Sequence, residues 1–191
     1  MSRPNVPKIL LITGRPGSGK TTLIAEAAAT LGHRAGGFYT RELRAGGRRV
    51  GFEVVSLDGR QGRLAHTDVR GPHRVGRYGV DLGSFEATGV DALERATREA
   101  ELIVIDEIGK MELLSERFRR AVEAAVAAGK PILATVMLTP DPWVDRLKSY
   151  PGARVIILSP ENRAEVRAEI LSWLKGLGLV TDAGPSRPPP A

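Results

Sequence analysis

The stretch KILLITGRPGSGKTTLIAEAAATLG, Lys8 to Gly32, decides the fold. Lys8 to Ile12 is a short apolar run with the composition of a strand. Thr13 to Thr22 is a glycine-rich turn, and Thr21 to Leu31 is rich in alanine and leucine, as expected for a helix that Gly32 stops. Within it, Gly14-Arg15-Pro16-Gly17-Ser18-Gly19-Lys20-Thr21 fits G-x-x-x-x-G-K-[ST] at every fixed position. Glycines in such a loop let backbone amides converge on phosphate oxygens, and the helix behind adds its free N–H groups and the positive end of its dipole. The expected nucleotide-binding residues are therefore Gly14, Arg15, Pro16, Gly17, Ser18, Gly19, Lys20, Thr21 and Thr22. Lys20 is expected to reach the β- and γ-phosphates, and the Thr21 hydroxyl to bind Mg²⁺.

Beyond this unit, Ala35 to Thr40 reads as a second strand. Val50 to Leu57 and Gln61 to Ala65 flank the turn dipeptide Asp58-Gly59, the pattern of an antiparallel hairpin, with a further turn at Gly46-Gly47. His66 to Leu82 shows no stable period and reads as a long loop, and helix resumes over Val90 to Ala100. Ser115 to Ala128 reads as a helix with Ser115 as cap, Pro131 to Val136 and Arg154 to Leu158 as strands, and Asn162 to Leu174 as the last helix. Strands alternating with helices predict a mostly parallel α/β sheet of about five core strands, covered on both faces and carrying one hairpin insertion at about 46–66. Residues 1–178 are expected to form one domain and 179–191, ending in GPSRPPPA, a disordered tail.

The run LIVIDEIGKMEL, Leu102 to Leu113, begins as a strand covered on both faces and then breaks into Asp106, Glu107, Lys110 and Glu112. Parallel sheets bind ligands at the carboxyl ends of their strands, where both Asp106 and the glycine loop lie. Asp106 is therefore expected to join Thr21 in holding Mg²⁺, and Glu107 to orient and deprotonate a water that attacks the γ-phosphorus. Adjacent carboxylates on a buried strand repel each other, which argues against a purely structural pair. Lys20 supplies charge for the γ-phosphoryl oxygens. Lys110 is a second candidate for that task and also reads as a solvated surface lysine. Thr135 is a candidate to bond the water or the γ-phosphate and also reads as an ordinary strand threonine.

Charge and composition bound the alternatives. The chain has 191 residues and a formal net charge of +6, with no cysteine, which excludes thiolate metal sites, disulfides and cysteine nucleophiles. His33, His66 and His73 are not spaced as zinc ligands. The first apolar stretch is too short for a signal peptide or a spanning segment, so no membrane partner and a cytoplasmic location are expected. Ten arginines against four acids between Arg34 and Arg77 form a basic segment suited to an anionic ligand. Phe38, Tyr39, Phe52 and Tyr78 read as dispersed along it, without a base-stacking platform, so nucleic acid is the less favoured partner there.

The run Asp106-Glu107-Ile108-Gly109-Lys110-Met111-Glu112-Leu113, downstream of the glycine loop, resembles the signature of the THEP1-type nucleoside-triphosphatases. Gly37-Phe38, Thr40, Glu42, Arg44, Gly47, Arg48, Gly51-Phe52, Gly59, Gly62 to Ala65, Phe85-Glu86 and Glu161-Asn162-Arg163 also resemble family positions, over about Ile9 to Lys175. The resemblance implies a RecA-like P-loop three-layer sandwich and Mg²⁺-dependent hydrolysis of ATP, GTP and other NTPs to NDP and phosphate, with broad base specificity. It also makes Asn162 a candidate nucleotide contact. Met137-Leu138-Thr139-Pro140 departs from the polar or histidine-containing segment that family members carry there. No protein partner is legible. A small nucleoside or nucleotide kinase and a nucleic-acid-associated ATPase are the alternative readings, since either would use the same Lys20, Thr21 and Asp106.

Overall fold

In the computed structural model, which describes residues 6–181, the elements follow in chain order. They are β1 (Ile9–Thr13), α1 (Lys20–Leu31), β2 (Ala35–Ala45), β3 (Arg48–Ser56), β4 (Gln61–His66), β5 (Arg74–Val75) and β6 (Tyr78–Val80). Then come α2 (Leu82–Phe85), a π turn (Glu86–Val90), α3 (Asp91–Glu99) and β7 (Leu102–Ile108). A 3₁₀ turn (Glu112–Leu114), α4 (Glu116–Ala127), β8 (Ile132–Val136), α5 (Pro142–Lys148), β9 (Ala153–Ile157) and α6 (Arg163–Gly176) complete the chain.

All nine strands join one sheet in the order β5-β6-β4-β3-β2-β7-β8-β1-β9. From β2 to β9 the four pairings are parallel, and from β5 to β2 the four are antiparallel. The α/β expectation stands, but the mostly parallel sheet of about five strands does not: the sheet is mixed. What reads as a loop from His66 to Leu82 contains β5 and β6. Val80 pairs with Ala65, so the expected hairpin grows into a four-stranded antiparallel extension. Strands of two and three residues are too short to show a period-two pattern.

Alternation along the parallel strands divides the apolar residues between two faces. Leu11, Ile103, Ile105, Ala134 and Val136 share one core with Leu93 of α3, Phe118 and Val122 of α4, and Val144 of α5. Leu10, Ile12, Leu102, Val104 and Leu133 share the other with Leu23 and Ile24 of α1 and Ile170 and Leu174 of α6. Phe38, Phe85 and Phe118 pack edge to face at 5.4–6.0 Å, pinning β2, α2 and α4 together.

Ser115 caps α4, its hydroxyl accepting from Phe118 N at 3.0 Å and donating to Glu86 at 2.5 Å. Helix α5 lies beyond the expected elements. Asp141 accepts from Trp143 N and Val144 N, and Pro142 stands at the start, a cap pair on only seven residues. Leu179 is buried against α6, with its N–H bonded to Leu174 O, so packing continues past 178; residues 182–191 of the expected tail lie outside the described residues.

Two of the four aromatic residues of the basic segment come together, whereas Phe38 packs in the core with Phe85 and Phe118. Phe52 and Tyr78 meet edge to face at 5.3 Å, with Arg49 over the Phe52 ring and Arg77 over Tyr78, each at 5.1 Å. Many of the arginines are engaged within the protein: Arg41 with Glu53, Arg44 and Arg49 with Glu42, and Arg60 with Asp58.

Candidate active site

The glycine loop leaves the carboxyl end of β1. At Gly14 an added Cβ would meet the Leu158 carbonyl oxygen at 2.4 Å, so only glycine fits beside the chain leaving β9. Leu158 N donates to Thr13 O at 2.7 Å, which ties that chain to the start of the loop. Gly19 caps α1 without a side-chain acceptor, leaving the N–H groups of the first turn to an anion. The Lys20 ammonium donates to Gly14 O at 2.9 Å and Arg15 O at 3.3 Å and so spans the loop. Arg15, Pro16, Gly17 and Thr22 are exposed, while Ser18 is buried and Thr21 half-buried.

Across the sheet edge, β7 continues through both acids instead of stopping before them, and the Asp106-Glu107 peptide is cis. Asp106 is 1% exposed, and its Oδ1 accepts from the Thr135 hydroxyl on neighbouring β8. Burial pushes its carboxyl above the usual range. Hydrogen bonding to Thr135 and Thr21, the Lys20 charge and the Thr40 amide oppose this more weakly. Glu107 is half-buried and is also pushed up, first by burial and then by Asp106, with Lys20 pulling the other way. Thr21, Lys20, Asp106, Glu107 and Thr135 are thus drawn into one site. Lys110 lies exposed in the turn after β7.

Two further groups beside these acids have no role assigned from the sequence. Thr40 contributes through its backbone, because β2 lies beside β7 and passes Asp106; side-chain chemistry gives no sign of this. Glu112 is a third carboxylate, 5% exposed and pushed up to about 8, chiefly by burial and further by Glu107 and Asp106. Glu107 Oε1 and Glu112 Oε2 each lie 3.0 Å from the point where a Gly109 Cβ would stand. The signal for Glu112 was its setting between Met111 and Leu113, a carboxylate enclosed by apolar residues.

Asp106 Oδ2, Thr13 Oγ1 and Ser18 Oγ are buried with no hydrogen-bond partner in the chain. Orphaned oxygens around a phosphate loop suit a site that a ligand completes. Asp106 and Thr21 fit Mg²⁺, which binds through one or two protein oxygens together with phosphates and water. Among the described residues no cluster of three or more acidic or histidine side chains is arranged to cage a metal, and such a site needs none. Asn162 accepts from Ser159 N at 2.8 Å and donates to Ile157 O at 2.9 Å, so its amide holds its own loop. No described helix is long and apolar enough to cross a membrane.

A family model described as NTPase matches residues 9–171. The nucleoside-triphosphatase THEP1 of Thermotoga petrophila is 51% identical over 166 residues, covering 87% of this chain and 92% of the relative. That of Pyrococcus abyssi is 45% identical over 178 residues, covering 91% and 96%. The crystal structure of THEP1 from Aquifex aeolicus superposes with a TM-score of 0.80 at 39% identity, covering 87% of this chain and 98% of that one. The solution structure of a human cancer-related nucleoside triphosphatase gives 0.75 at 37% identity, covering 88% and 97%.

Proposed function

Because the chain belongs to the THEP1-type nucleoside-triphosphatase family, we propose that it hydrolyses nucleoside 5′-triphosphates to nucleoside diphosphate and phosphate. The observation that carries this reading is the pairing of Asp106 and Glu107 at the end of β7 within electrostatic reach of Lys20 on the phosphate loop. The described part of the expected domain 1–178, residues 6–178, acts as a single catalytic domain in this reading, with Leu179 packed onto it.

The loop amides and Lys20 bind the triphosphate. Asp106 and Thr21 would hold Mg²⁺, which when bound would supply charge neutralisation to the triphosphate. Glu107 orients a water toward the γ-phosphorus and takes its proton. The new O–P bond forms as the bond to the β,γ-bridging oxygen breaks, and the diphosphate leaves with that electron pair. An upward-shifted carboxyl is a better proton acceptor than an ordinary surface glutamate. Thr135 acts through Asp106, whose free rotation its hydroxyl removes. Lys110, in the turn between Glu107 and Glu112, adds positive charge at the mouth.

Broad base use follows if most binding energy comes from triphosphate and metal, which every NTP shares. Phosphate release and nucleotide chromatography with ATP, GTP, CTP and UTP, with and without Mg²⁺, test the reading. Several NTPs should yield NDPs only with Mg²⁺ and without any acceptor. Transfer to an added nucleoside or NMP with negligible hydrolysis alone would overturn it, as would turnover that depends on added single-stranded RNA.

A further inference from the structure

Arg163 is the first residue of α6, and its guanidinium lies over the phosphate loop. A Cβ at Gly19 would meet Nη1 at 2.6 Å and Cζ at 3.3 Å. Its position is fixed from behind: Leu158 is bonded to Thr13, and Asn162 bridges Ser159 N and Ile157 O. Its head group is only loosely engaged. Glu26 stands 3.7 Å away and bonds Arg167 more closely, at 3.0 Å, and the Arg163 side chain is 41% exposed.

The sheet order says which end of a nucleotide passes this point. The catalytic acids are on β7 and Thr135 on β8, both to one side of β1, whereas β9 and the chain leading to α6 lie on the other. A triphosphate in the loop with its γ-phosphorus aimed at Glu107 therefore runs back toward Arg163 with its nucleoside. Resting on the hydrolase reading above, we propose that Arg163 is the nucleoside-side contact, a flat cation against which any nucleobase lies. A guanidinium stacks on π-faces without reading a base edge, and every base has such a face. Such a contact favours nucleotides over bare polyphosphate and does so whatever the base.

The test compares KM for ATP, GTP, CTP and UTP, and inhibition by inorganic tripolyphosphate, in the wild type, Arg163→Ala, Arg163→Lys and Glu26→Gln. Arg163→Ala should raise KM for all four NTPs by about tenfold, the scale of losing one stacking partner, with tripolyphosphate inhibition unchanged. Arg163→Lys should lose most of the same affinity because it keeps charge without the plane. Glu26→Gln should leave KM at the wild-type value. Equal weakening toward tripolyphosphate, full rescue by lysine, a shift confined to one base, an unchanged KM or the same shift from Glu26→Gln would each overturn the proposal. Loss of the hydrolase reading would look different, since the wild type itself would then turn over no NTP.

Discussion

The Thr135 hydroxyl on β8 donates to Asp106 Oδ1 on β7, a bond between adjacent parallel strands at the edge where the phosphate loop also opens. It leaves Oδ2 without a protein partner. Thr135 thus engages one oxygen of the carboxylate proposed to hold the metal, while the other has no partner in the chain.

If that is its role, Thr135→Val should lower kcat by about tenfold or more and weaken the Mg²⁺ dependence, because Asp106 then loses a buried hydrogen bond worth roughly 1–3 kcal/mol. Thr135→Ser, which keeps the hydroxyl, should stay near the parent rate. Magnesium titrations of turnover, with melting curves to monitor the fold, check this. A valine variant with parental kinetics would remove Thr135 from the site.

Glu112 yields a stability prediction. Its folded pKa is raised to about 8 from an ordinary 4.5, so between those values the folded protein holds a proton that the unfolded chain releases. Stability contributed by the neutral carboxyl is present below about 4.5 and is lost as pH rises through about 8; Asp106 and Glu107, also raised, act in the same direction. Glu112→Gln mimics the protonated form. Its melting temperature without nucleotide should fall less than the parent's between pH 5 and 8.5. Parallel slopes for the two proteins would contradict the assignment.

The basic extension should bind RNA weakly. Arg44 is held by Glu42, and the Phe52 and Tyr78 rings are already covered by Arg49 and Arg77. Filter binding of single-stranded RNA across a salt series should show low affinity, and Arg44→Gln with Arg48→Gln should alter NTP kinetics more than RNA binding. Tight binding with a steep salt slope that disappears in the double variant would show a nucleic-acid surface instead.

The phosphate loop and the acids near the end of β7 were legible because each depends on residue types at fixed local spacing; Lys20 lies within electrostatic reach of both Asp106 and Glu107, and Thr21 within hydrogen-bonding reach of Asp106. Local windows could not show contacts made by sheet pairing. The Thr40 amide reaches Asp106 only because β2 lies beside β7, and Thr135 meets Asp106 because β8 lies on the other side. Pairing also explains the mixed sheet: β6 is three residues long and is held by Ala65 and His66 of β4, so its own sequence carries little strand signal. Asn162 was visible by type, but its amide is committed to Ser159 and Ile157.

The proposed division of labour between the two carboxylates is tested by pairing single-turnover hydrolysis with calorimetric binding of a non-hydrolysable NTP at several Mg²⁺ concentrations. Glu107→Gln should retain nucleotide and Mg²⁺ binding while its hydrolysis rate falls by about 10²-fold or more, within the range for loss of a general base. Asp106→Asn should lose Mg²⁺-dependent binding together with turnover, because it removes charge from the metal's shell. Near-parental hydrolysis by Glu107→Gln would show that Glu107 is not the base, and a folded Glu107→Gln that loses nucleotide affinity as severely as Asp106→Asn would contradict the division itself.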